Sequence, residues 1–129
     1  MAVSPSACPD FVRRLELRFP SVAAALDSDE RSLLHLGMAA FARATRAAIA
    51  AGQESVFLDH FGFADELLQN ASPELENAVV VSYLENVFLG DTEIPVERAR
   101  LKLPLRLEGA LSQLERHFRR LDRHEEKGT

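Results

Sequence analysis

Apolar positions recur along the chain with helical spacing, and the breaks fall at proline, glycine and short polar runs. Pro9 and Asp10 open a first amphipathic helix with the stripe Phe11, Val12, Leu15 and Phe19, which Pro20 ends. A short helical turn is expected over 22–26. Asp27 and Glu30 have capping-box spacing, so a helix is expected from Asp27 to about Ala51, with Gly52 as a left-handed cap. Its stripe is Leu34, Met38, Phe41, Ala42 and Ile49. Thr45 falls on the same stripe, where its hydroxyl can bond back to a carbonyl one turn earlier. The many alanines of this helix point to close packing against a neighbour.

A third helix is expected over about 53–69. Phe57, His60, Phe61, Ala64, Leu67 and Leu68 share one face, and Ser55, Asp59, Gly62 and Glu66 the opposite one. Ser72-Pro73-Glu74 then reads as an N-cap, proline at the first helical position and acid in the first turn. The helix that follows, about 74–89, ends at Gly90 and is apolar on nearly all sides, which places it centrally. Its one polar strip is Ser82, Glu85 and Asn86, a pattern that serves a buried hydrogen-bond network more often than a partner groove. The β-branched run Val79, Val80, Val81 would also suit a buried strand, but the cap, the length and Gly90 favour helix. After a loop over 91–94, a last helical region begins near Pro95, is broken or kinked at Pro104 and reaches about Arg123. Leu107, Leu111, Leu114, Phe118 and Leu121 form its seam.

The pattern predicts an all-α fold, a compact bundle of about five helices. The pair of helices flanking LLQNASPELENAV has the form of one HEAT-like repeat unit, but a single copy does not make a solenoid and a small bundle is preferred. The expected organisation is a flexible lead over 1–8, one helical domain over 9–123 and a flexible tail over 124–129.

Composition narrows the function classes. The chain has 129 residues, 47% hydrophobic and 27% charged, which suits a single globular domain and is too apolar for intrinsic disorder. No run approaches the roughly 18 apolar residues of a membrane-spanning helix. The N-terminus lacks a charged-then-apolar export pattern, and the single cysteine, Cys8, placed in the mobile lead, fits a reducing compartment, so a cytoplasmic location is expected. One thiol also excludes zinc ribbons and iron–sulfur clusters.

Charge changes the picture most. Between Arg46 and Arg98 there is no lysine or arginine, while ten acids occur. Residues 1–97 carry six basic and fifteen acidic groups, a net of −9; residues 98–129 carry nine basic and five acidic, a net of +4; together these give −5. Glu54, Glu74, Glu76, Glu93 and Glu97 lie near helix starts, where acid stabilises the dipole. Asp59, Asp65, Glu66, Glu85 and Asp91 are not so explained. A charge run is ordinarily a solvated face; read functionally, these five residues form an anionic surface for a basic partner. Arg116, Arg119, Arg120 and Arg123 share one face of the last helix, yet the overall acidity and the lack of stacking aromatics there argue against direct nucleic-acid binding.

Catalytic and metal patterns are missing. His60, in the middle of an apolar arc, reads as a satisfied core histidine before a ligand. His117 and His124 lack a fixed carboxylate, and neither a di-iron Glu-x-x-His pattern, a glycine-rich phosphate loop nor a serine elbow occurs. No cofactor and no metal are expected. An enzyme using Asp59, His60 and Glu66 is a distant third reading.

The segment FADELLQNASPELENAVVVSYLENVFLG, with Phe19-Pro20 and Leu33-Leu34-His35, resembles a group of short all-helical bacterial domains of uncharacterised function over about residues 10–90. The pattern is a run of small apolar residues followed by Ser82, Tyr83, Leu84, Glu85 and Asn86. Such acidic helical domains are similar to immunity proteins encoded beside polymorphic or contact-dependent bacterial toxins. The resemblance implies a non-enzymatic protein that binds a basic cognate toxin, for instance a nucleic-acid-acting enzyme, and covers its active-site region with Asp59, Asp65, Glu66, Glu85 and Asp91. The alternative is a helical adaptor that self-associates, as a homodimer, through the Leu107–Leu121 seam.

Overall fold

The computed structural model describes residues 7–89 and 93–127. Among these residues every regular element is helical: α1 (Ala7–Arg18), α2 (Pro20–Ala24), α3 (Ser28–Ser32), α4 (Leu34–Ala50), α5 (Glu54–Leu68), α6 (Pro73–Asn77), a π-helical segment (Ala78–Leu84), α7 (Glu85–Phe88), α8 (Ile94–Arg100) and α9 (Leu105–Lys127). Residues 73–88 form one continuous rod, of which the π segment is the middle. This rod packs along α4 and also meets α5 and α9, so α4 and the rod are the two central elements. Among the described residues no helix is long and apolar enough to cross a membrane.

The caps follow the sequence closely. The Asp27 carboxylate accepts from the Glu30 backbone N–H at 2.8 Å, and the Glu30 side chain accepts from the Asp27 N–H at 2.9 Å, a complete capping box. Ser72 accepts from the Leu75 N–H ahead of Pro73. Gly52 closes the turn after α4 at φ 71°.

Three boundaries differ from expectation. The helix expected from Asp27 onward is broken at Leu33, which is extended (φ −118°, ψ 114°), so α3 folds back on α4. Gly37 permits that approach: a Cβ there would stand 2.6 Å from the Glu30 carbonyl oxygen. The first helix begins at Ala7, and Cys8 is a half-buried part of it, its thiol donating to the Arg31 carbonyl at 3.4 Å. Burial, more than nearby Glu74, pushes that thiol above its ordinary pKa. The last helix runs on to Lys127, past the tail expected from 124. Gly90 and Asp91, and the side chains of Leu121 and Arg123, lie outside the described residues.

Aromatic rings make the core. Phe41 of α4 stacks on Tyr83 (centroids 4.9 Å apart), meets Phe63 edge-on at 5.5 Å and lies against Phe19. Phe11 closes this cluster from α1. Phe63, off the main face of α5, is nevertheless buried, because α1 covers that side and lays Arg14 and Arg18 over its ring. Such pairs add about 0.5–1.5 kcal/mol each beyond simple burial.

The glycines supply a paired test. Gly37→Ala forces α3 from α4 and is expected to lower stability by about 2 kcal/mol, despite the better helix former. Gly62→Ala, with open space at its Cβ, is expected to raise it by about 0.5–1 kcal/mol. Urea midpoints read both; equal effects would contradict the close contact at Gly37.

Candidate functional site

The molecule offers two settings in which polar side chains could act: a buried node between α4, α5 and the π segment, and the charged surface.

At the node, Thr45 Oγ1 is 3.2 Å from the Phe41 carbonyl, 2.8 Å from His60 Nδ1 and 2.9 Å from the Tyr83 hydroxyl. All three residues are buried, His60 to 2% exposure. A hydroxyl has one proton to give. Thr45 therefore donates to the Phe41 carbonyl and accepts from both His60 Nδ1–H and the Tyr83 O–H, the arrangement in which all three contacts are bonds at once. Phe19 and Phe41 flank the imidazole at 4.7 and 4.9 Å between centroids. Burial in this aromatic setting lowers His60 from 6.5 to about 4, against the opposing influence of Asp59, and pushes Tyr83 above its ordinary 10. The node thus holds a neutral imidazole and a neutral phenol.

Asp59 and Glu66 do not join His60. Both are exposed while His60 faces the interior, so the Asp59, His60 and Glu66 set does not converge. Among the described residues no group of three or more His, Cys, Asp or Glu could hold a metal ion.

The polar strip of the central rod divides. Ser82 Oγ lies 2.5 Å from His35 Nδ1 of α4, and Asn86 Nδ2 donates to the Ser82 carbonyl at 2.7 Å. Arg46 donates to the Asn86 carbonyl. These two members are thus tied to backbone and to α4. Glu85, half-buried at the start of α7, makes no ion pair among the described residues.

The acids of α5 also divide. Asp59 is exposed and makes no ion pair among the described residues. Asp65 Oδ2 accepts from Arg106 of α9 at 3.0 Å, while its Oδ1 is buried without a partner, a place suited to an ordered water. Glu66 accepts from Arg18 of α1 at 2.7 Å. Asp65 and Glu66 therefore clamp α5 to α9 and α1, which helical-wheel spacing did not reveal because both partners are distant in sequence. Asp91 lies outside the described residues.

The cations before residue 98 are all occupied. Arg13 and Arg14 hold Asp10, Arg18 holds Glu66, Arg31 holds Glu16, Arg43 holds Glu30, and Arg46 donates to Asn86. Acids without an ion pair among the described residues include Asp29, Asp59, Glu76, Glu85 and Glu97. Asp29 stands in the first turn of α3, where acid suits the helix dipole. Further along, Lys102 meets Glu54, and Arg100 grips both oxygens of Glu115, holding α8 on α9, with the arginine pKa raised and the carboxyl lowered.

The node has measurable consequences. Thr45→Val leaves two buried donors unpaired and is expected to cost about 3 kcal/mol, whereas Thr45→Ser keeps the hydroxyl and is expected to cost about 1 kcal/mol. Because the folded His60 titrates near 4 and an unfolded one near 6.5, the unfolded chain binds more protons between these values. Its contribution is full above pH 6.5 and is lost as pH falls toward 4, on the order of 3 kcal/mol. Denaturation midpoints from pH 7 to 4.5 check this; His60→Phe should flatten that part of the profile, and an unchanged slope would contradict it.

Comparison with curated proteins and with solved structures gives no match. The family described as Domain of unknown function (DUF7674) matches residues 12–120. That span covers most of the chain, from the second residue of the α1 stripe to the arginines of α9, and the chain belongs to this family.

Proposed function

We propose that this domain is an immunity protein: it binds a cognate, basic protein toxin in the bacterial cytoplasm and covers the toxin's active-site region with its acidic surface. The observation that carries the reading is the asymmetry of charge pairing. Every arginine before residue 98 is already held within the fold, so the surface charge left over there is acidic. Such a surface attracts a basic protein at long range and repels nucleic acid. A toxin that acts on nucleic acid carries the complementary cationic site.

Within the five acids singled out from sequence, Asp59 and Glu85 are the residues proposed to meet the toxin directly. Asp65 and Glu66 contribute a field already reduced by Arg106 and Arg18. Reversing either would also cut a tie between helices, so their variants report on stability as well as binding.

The test is co-expression with the product of the neighbouring reading frame. A one-to-one complex that relieves toxicity is expected. Asp59→Lys combined with Glu85→Lys should slow association roughly tenfold at low salt, by stopped flow or biosensor, with an unchanged denaturation midpoint. Toxicity unrelieved by the intact chain, or association indifferent to the double reversal, would overturn the reading.

A further inference from the structure

The pocket between the end of α4, the start of α5 and α8 joins an apolar floor to an unpaired cation. Its volume is about 270 Å³, near the lower end of the roughly 300–1,000 Å³ of small-ligand sites. Ile49 of α4, Phe57 of α5 and Ala99 of α8 form the floor, and all three are buried. Ile94, Arg98 and Lys102 recur every four residues, so they stand in a row along α8 and the turn after it, on the side that lines the pocket. Ile94 is 64% exposed, a large apolar side chain left uncovered at the rim.

Charge says what fits there. Arg98, Lys102 and Glu54 line the pocket, two cations and one acid, a net of one positive charge. Glu54 meets Lys102 at 3.5 Å, while Arg98 is exposed and makes no ion pair among the described residues. Glu97, its neighbour in sequence, does not line the pocket. One negative charge balances this lining, whereas a doubly charged phosphate would also face the Glu54 carboxylate. The planar guanidinium fork matches a carboxylate, and the buried floor favours an apolar body behind it.

We infer that this pocket binds a small monocarboxylate whose body is a single ring or a short alkyl chain. The carboxylate pairs with Arg98, Lys102 adds positive charge at the rim, and the body lies on Ile49, Phe57 and Ala99 beside Ile94. This site does not depend on the toxin-binding reading, since neither Asp59 nor Glu85 lines it.

Amide nuclear magnetic resonance of the full chain, titrated with phenylpropionate and with hexanoate, tests the inference. Saturable shifts are expected at Gly52, Phe57, Arg98 and Ala99. Phenylpropanol, the same body without the charge, should bind roughly tenfold more weakly, and inorganic phosphate should leave these amides unmoved. Arg98→Gln, at an exposed position, should weaken phenylpropionate roughly tenfold and leave phenylpropanol unchanged. Ile94→Glu puts an acid at the rim, in the first turn of α8 where it suits the helix dipole, and should abolish carboxylate binding. Circular dichroism confirms the fold of each variant. Shifts centred elsewhere, or no saturable shift with either carboxylate, overturn the inference. Equal affinity for phenylpropanol, tighter binding of phosphate, or indifference to Arg98→Gln and Ile94→Glu does the same.

Discussion

One hydroxyl fixes the arrangement of the interior. Thr45 Oγ1 is the point where α4, α5 and the π segment meet, through His60 and Tyr83, and the cost of leaving any of these groups unpaired in an aromatic core is large. Apolar packing alone tolerates small slides of one helix on another. A shared hydrogen-bond centre does not, since a shift that breaks one bond strands a donor without water to replace it. The π segment coincides with the stretch that must satisfy this geometry. Adjacent residues Ser82 and Tyr83 both reach α4, at His35 and at Thr45, positions ten residues apart.

The surface follows a different logic. Ion pairs join elements far apart in sequence: Arg18 with Glu66, Arg106 with Asp65, Arg100 with Glu115, Lys102 with Glu54. Exposed pairs of this kind contribute little stability individually. Their larger effect here is on what remains. Arg18, like the other arginines before residue 98, is occupied within the fold, and Lys102 and Arg106 each offset one acid of α5, while Asp59 and Glu85 keep no ion pair among the described residues.

Much of the fold was legible because local signals and burial agree. The stripe Leu34, Met38, Phe41, Ala42, Thr45 and Ile49 is buried throughout, and the Asp27–Glu30 box, the Ser72 cap and Gly52 stand where the sequence put them. The features that escaped are long-range. The break at Leu33, which Gly37 permits by leaving room for the Glu30 carbonyl, the burial of Phe63 under α1 on a second side of α5, and the π turns beside α4 leave no periodicity to read. His60 was legible as a core histidine, and its partner Thr45 as a stripe residue, but not their meeting. Among the candidate acids, Asp65 and Glu66 look alike in sequence to Asp59, and only the positions of Arg106 and Arg18 distinguish them.

Nuclear magnetic resonance of the His60 imidazole tests the role of the Thr45 centre most directly. Nitrogen shifts should show the neutral Nδ1–H form throughout the neutral range, with protonation beginning only as pH approaches about 4. Titration near 6.5, or an Nε2–H tautomer in the folded chain, would contradict the hydrogen-bond arrangement on which the packing of α4, α5 and the π segment depends.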